Sequence, residues 1–295
     1  MAEIIVDQYS AQFDKPMVQV QPGRGKNPLF FLHGDYRGGG IYALALAREL
    51  GEDQPFYVLN PIGTNGDGPT TIEEMAALYI QMIRAVKSEG PYLLGGHCNG
   101  GVLAYEMARQ LSRQKQAVEL VAVISARMKR NPGMMLLLRC VATLAYLTGL
   151  ESKAKRRLFY RAVELYVYFR NRLKDVARSP VRAQVDWFFG QFRGDFLRPP
   201  TVLSASGPQD VEPLDGMSLA LQAYIPREYS GRVVLFQPGG RVPDGGKPAD
   251  LGWSRIVSNL EVQAVPGDHL SCVSTYGKTL ARLLKSRLEA RPPQA

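Results

Sequence analysis

Five residues constrain this chain more than any others: Gly96-His97-Cys98-Asn99-Gly100. They lie between a short apolar run, Tyr92-Leu93-Leu94, and a stretch of helical spacing from Val102 to about Gln114. A buried strand that passes into a helix over so few residues must turn sharply. The positions two residues either side of the turn's centre must then be small, so that the two backbones can approach each other. Gly96 and Gly100 meet that requirement, and Gly101 extends the small surface. The side chain at the centre stands at a helix N-terminus, where the dipole favours negative charge. Cys98 is therefore a candidate nucleophile in an environment that favours thiolate. The backbone N–H of Asn99 is placed to donate to a developing oxyanion. A buried structural cysteine on a glycine-rich turn is the plainer alternative. The flanking strand and helix count against it, and the chain has no serine in a rival turn of this kind.

The pattern around that turn predicts an α/β protein with a mostly parallel central sheet. Leu29-Phe30-Phe31-Leu32, Phe56-Tyr57-Val58-Leu59 and Leu120-Val121-Ala122-Val123-Ile124 are apolar on both faces, as strands covered on both sides must be. Helical segments alternate with them, from Ile41 to Leu50 and from about Ile72 to Ser88. Thr71-Ile72-Glu73-Glu74 has the spacing of a capping box at the start of the second of these helices. Alternation stops near Ser125 and resumes at Val233-Val234-Leu235-Phe236, followed by Leu260 to Val265 and a last helix over roughly Val273 to Leu288. We therefore expect a leader at 1–27, a core built from 28–126 and 231–295, and an inserted helical lid at 127–230.

With three histidines in the chain, few assignments of a general base are possible. Where such a turn presents the nucleophile, the chain order is nucleophile, acid, histidine. His97 belongs to the turn itself and points away from Cys98. His33 follows the first apolar strand, in a loop positioned to give a second oxyanion donor, the N–H of Asp35. His269, in Pro266-Gly267-Asp268-His269 just after the last strand, is then the expected base. Cys272, three residues on, reads as core or pocket wall.

The 295 residues are long enough for one large core domain carrying an insertion. Three cysteines suggest a reducing compartment rather than a disulfide framework. The acidic N-terminus lacks a signal-peptide core, so a cytoplasmic location is expected. The net charge of +9 is concentrated: 16 of the 36 Lys and Arg, but 5 of the 27 Asp and Glu, fall between Arg127 and Arg198, an excess of +11. No metal-ligand spacing, phosphate loop or nucleic-acid signature accompanies it, so neither a metal nor a nucleic-acid partner is expected. Met134 to Leu150 is apolar apart from Arg139. Its length falls short of the ~20 apolar residues of a spanning helix, and a lid helix along an acyl channel is the preferred reading over membrane contact.

Three stretches resemble a known family: LFFLHGDYRGGGIYALALAREL (Leu29 to Leu50), GPYLLGGHCNGGVLAYEMARQL (Gly90 to Leu111) and VPGDHL (Val265 to Leu270). They are similar to the thioesterase domains of polyketide and non-ribosomal peptide assembly lines, which have the α/β-hydrolase fold. The resemblance covers the core, about two-thirds of the chain. It implies a substrate held as an acyl or peptidyl thioester on the phosphopantetheine of a carrier protein, with no cofactor of the enzyme's own. Two positions depart from the family. Cys98 replaces its usual serine, and Val123-Ile124-Ser125-Ala126 lacks the Asp expected after that strand. Ser125 offers no carboxylate, so the acid is sought after the penultimate strand, at Asp244 in preference to Asp250. The departures fit together, because a cysteine can pair with histidine alone whereas a serine hydroxyl needs a well-oriented base.

Transfer of an acyl group from one thiol to another is nearly thermoneutral, so an acyl–Cys98 remains activated. Hydrolytic or cyclising release and shuttling to a second acceptor both stay open. The basic run at Lys155, Arg156 and Arg157 is the expected dock for an acidic acyl or peptidyl carrier protein, with an ordinary solvated face as the alternative. A catalytically silent acyl-carrier or lipid binder with the same fold is the second class of function, separated from the first by the reactivity of Cys98.

Overall fold

The computed structural model describes residues 15–34, 40–62, 69, 71–128, 132–149, 154, 158, 161–163, 165, 166, 169, 170, 216–239 and 250–290. In chain order, its strands are β1 (Met17–Gln21), β2 (Leu29–Leu32), β3 (Phe56–Leu59), β4 (Tyr92–His97), β5 (Val118–Ile124), β6 (Tyr229–Pro238) and β7 (Val257–Val265). They form one sheet in the order β1-β3-β2-β4-β5-β6-β7. All neighbours pair in parallel except β1, which lies antiparallel against β3 at the edge. The central strands β2 and β4 are buried along their whole length, as helices on both faces of a parallel sheet require.

The helices of this unit are α1 (Ile41–Leu50), α2 (Ile72–Val86), α3 (Asn99–Arg113) and, after β7, the C-terminal helix Gly277–Glu289. Ala43, Leu46, Ala47 and Leu50 of α1 share a core with Leu280, Ala281 and Leu284 of the C-terminal helix, laid over Leu29, Phe31 and Val58 of the sheet. Helix α2 packs on α3. The capping box at its start is formed: Glu74 N–H donates to Thr71 Oγ1 at 3.1 Å, and Thr71 N–H donates to Glu74 Oε2 at 3.3 Å.

The chain divides into two compact units, 1–130 with 226–295, and 131–225. The second enters after β5 and leaves before β6, two strands that are adjacent and parallel in the sheet. It contains α4 (Pro132–Leu147) and α5 (Gly216–Ala223), with Met134, Val163 and Ala223 buried together; the C-terminal helix of the first unit is therefore α6. No described helix is long and apolar enough to cross a membrane.

One expectation is corrected. Residues 17–21, assigned to a leader, form an edge strand. Val18-Gln19-Val20-Gln21 alternates apolar and polar positions with period two, as a half-covered strand does. Gln21 anchors its end, its Nε2 donating to the carbonyls of Gly51 at 2.7 Å and Gln54 at 2.8 Å.

Candidate active site

The turn between β4 and α3 is strained at its centre. Cys98 has φ 53° and ψ −125°, a conformation that non-glycine residues avoid. Its N–H donates to the carbonyl of Ile124 at 2.9 Å, tying the turn to the end of β5. The glycines around it explain the spacing. A Cβ on Gly96 would collide with the backbone of Gly100, and one on Gly100 with the carbonyl of Leu32 in β2. Gly34 is small for a related reason: a Cβ there would lie 2.6 Å from that of Cys98. The loop after β2 is thereby packed directly against the turn.

The thiol of Cys98 is half-buried, and its S–H points to Asn99 Oδ1 at 3.7 Å. Burial pushes the thiol above its ordinary value, while the backbone N–H of Asn99 acts in the opposite sense. The resting side chain is therefore held as thiol more firmly than its place at a helix N-terminus suggested, because loss of hydration outweighs the hydrogen bond from the Asn99 N–H. Asn99 is the first residue of α3, with its N–H beside Sγ.

His269 follows β7 on an exposed loop. Asp268 shapes that loop. Its Oδ1 accepts from Leu270 N–H at 3.0 Å, Ser271 N–H at 2.8 Å and Ser271 Oγ at 2.8 Å, while its own N–H donates to Ser271 Oγ at 2.7 Å. These contacts, the Ser271 N–H first, hold the Asp268 carboxyl below its ordinary value. The Nδ1 of His269 lies 2.7 Å from Ser125 Oγ. His97 covers the other side, its ring stacked on that of His269 with centroids 4.7 Å apart and planes at 28°. His97 Nε2–H donates to the His269 carbonyl at 2.9 Å, since a carbonyl can only accept. That leaves Nδ1 to accept from Tyr42 O–H at 3.2 Å, and the Tyr42 oxygen accepts from Gly34 N–H at 3.2 Å. One chain of hydrogen bonds thus links the loop after β2 to the loop that bears His269.

Cys98, Asn99 and His269 are brought to the same end of the sheet. Asp35, Asp244 and the docking residues Lys155, Arg156 and Arg157 lie outside the described residues. Asp250 is engaged elsewhere: it accepts from Gly252 N–H at 3.0 Å and Ser254 N–H at 3.3 Å, and from the Ser254 hydroxyl, shaping the turn before β7. Cys272 is buried in the core with its thiol pushed up to about 11 by burial, as a wall residue should be. His33 is buried too, with Nε2 3.0 Å from Asn60 Oδ1. Sequence reasoning missed three contributors. Ser125 offers no carboxylate, although its place after β5 is visible in the sequence. Asp268 was signalled by the Asp-x-x-Ser spacing, which is that of a self-capped turn. Tyr42 carried no signal.

Comparison with known proteins agrees with this geometry. The sequence model of the thioesterase domain matches residues 28–157. The chain is 35% identical over 112 residues to the polyketide synthase PksR of Bacillus subtilis, covering 37% of this chain and 4% of that protein. It is 33% identical over 150 residues to the non-ribosomal peptide synthetase apvA of Aspergillus terreus, covering 48% of this chain and 16% of that protein. The chain therefore matches only a small part of each of these relatives. Among solved structures it is similar to the NocB thioesterase domain in covalent complex with a fluorophosphonate nocardicin G analogue, with TM-score 0.57, 20% identity, and 93% of this chain and all of that one covered. That likeness is one of fold. The chain has the α/β-hydrolase fold, and its residues 28–157 match the sequence model of the thioesterase domain.

Proposed function

We propose that this protein is a thioesterase-type acyl enzyme that takes an acyl or peptidyl group from a phosphopantetheine thioester of a carrier protein onto Cys98. The observation that carries the reading is the strained turn at Cys98, with His269 held beside it by Ser125 and His97. Strain of about 1–3 kcal/mol at a non-glycine residue persists where it serves a purpose, and here it projects the thiol at the start of α3. His269 accepts the thiol proton as Sγ attacks the thioester carbonyl. The Asn99 N–H stabilises the oxyanion, joined by the Asp35 N–H. The acyl group then leaves by hydrolysis, cyclisation or transfer to a second nucleophile. The carrier docks through the basic run Lys155-Arg156-Arg157.

Intact-protein mass spectrometry after mixing with acyl-loaded carrier protein or a small acyl thioester tests this. The expected result is a single acyl adduct on Cys98, lost in Cys98→Ala without change in the circular dichroism spectrum. Undiminished loading of Cys98→Ala would sink the proposal. The second reading, a silent acyl-carrier binder, is favoured by the burial that keeps the Cys98 proton in place. It predicts carrier binding with no adduct at any pH.

A further inference from the structure

Nothing negatively charged is hydrogen-bonded to the His269 ring among the described residues; the group at Nδ1 is the hydroxyl of Ser125. Asp250 is committed to its own turn. Asp268, the neighbouring acid, uses Oδ1 to hold its loop, and the His269 charge is the least of the influences on it. Ser125 itself is firmly placed. Its N–H donates to Phe236 O at 2.9 Å, and its φ of 49° is one of only a few positive values at non-glycine residues among those described. A left-handed residue at the end of β5, between the turn at Cys98 and the end of β6, directs its side chain at the histidine.

For Nε2 to receive a proton from Cys98, Nδ1 must carry the ring's hydrogen and donate it to Ser125 Oγ. That bond fixes the ring and its tautomer. It adds no negative charge to stabilise imidazolium once the proton has moved, as a carboxylate would. The omission weighs unequally on the possible acceptors. A thiol, with pKa about 8.5, yields its proton with little help. Water, with pKa about 15.7, attacks only as the base takes its proton, so it depends on a well-stabilised imidazolium.

We propose that Ser125 is the positioning residue for His269, and that its neutral hydroxyl directs the acyl group on Cys98 to a second thiol in preference to water. This rests on the acyl-enzyme reading above. In the first step the thioester C–S bond breaks as Sγ–C forms, and the Cys98 proton passes through Nε2 to the departing thiolate. The second step is the same exchange in reverse with another thiol, so atoms and charge balance with no further reactant.

The test loads the protein from an acyl N-acetylcysteamine thioester, removes the excess and follows the adduct by mass spectrometry with and without pantetheine. The adduct is expected to persist in buffer and to decay at least ~10-fold faster with millimolar pantetheine. Ser125→Ala should slow loading and alter its pH profile, and Ser125→Asn, whose neutral carbonyl can accept from Nδ1–H and which tolerates the left-handed backbone, should restore both. Ser125→Asp should speed hydrolysis about 10-fold or more, since loss of the analogous carboxylate in a full triad costs about 10⁴-fold. It should also move the acid limb of the pH profile up by about one unit or more, as a charge of opposite sign does. Wild-type adduct that hydrolyses as fast as it transfers would overturn the preference for thiol. Ser125→Ala and Ser125→Asp with wild-type rates and pH profiles would overturn the positioning role. No adduct on folded wild-type protein would overturn the acyl-enzyme reading and this inference with it.

Discussion

Cys98 is subject to two opposed influences that can be separated by measurement. Its backbone is strained at φ 53°, ψ −125°, and its thiol is partly dehydrated. The raised thiol value has a definite sign: at any given pH, less thiolate is present than in free cysteine. Alkylation by a small reagent should therefore be slow at pH 7 and still be climbing above the ordinary thiol value of about 8.5. A Cys140→Ser background removes the exposed competitor, and Cys272, at about 11, stays silent over most of that range. A plateau reached below pH 7 would show instead a resting thiolate–imidazolium pair. The strain yields a second expectation. Cys98→Gly should abolish loading yet raise stability by about 1 kcal/mol, because glycine occupies this region without steric penalty and gives back only part of the gain through its more flexible unfolded chain. A urea midpoint at or below that of Cys98→Ala would show that the turn is not strained.

At the scale of elements, the approach of strand and helix behind the turn decides the cost of filling it. Gly100→Ala gains up to about 1 kcal/mol in helix propensity, but the new methyl would meet the Leu32 carbonyl, which cannot swing aside as a side chain can. Overpacking of about 3 kcal/mol outweighs the gain, so a net loss near 2 kcal/mol is expected in urea unfolding. Wild-type stability would mean that β2 and α3 sit farther apart than described. This junction was legible in sequence because close approach admits only glycine. Elements with one dominant signal were legible too, among them the fully apolar β2, the capping box before α2, and α1 with its helical spacing. Less visible were the elements whose formation depends on partners distant in sequence. β1 has only five residues and becomes a strand by pairing with β3 some forty residues later. Ser125 carries no signal by chemical type, since a hydroxyl is not an acid. Its role shows only when β5 and the loop after β7, 144 positions apart, are placed side by side.

The whole molecule places its candidate chemistry and its basic run Lys155-Arg156-Arg157 in different units. The two units divide at 130/131 and 225/226, and the sheet-bearing unit holds Cys98 and His269. Of the excess of +11 between Arg127 and Arg198, +8 falls in the other unit, which holds the run Lys155-Arg156-Arg157. Charges that recruit an acidic carrier act on encounter and affinity, and the chemical step follows only after docking. Replacing Lys155, Arg156 and Arg157 by Ala should therefore raise the Michaelis constant for carrier-bound substrate. Turnover of a small acyl thioester, which needs no dock, should hardly change. Salt supplies an independent check, because exposed charges are screened beyond about 8 Å at physiological ionic strength. Raising salt should weaken wild type toward the variant and leave the variant nearly unaffected. Equal losses on both substrates would assign these residues to the folding of the inserted unit. No loss on either, with wild type insensitive to salt, would leave the basic run as solvated surface and move the carrier's docking site elsewhere.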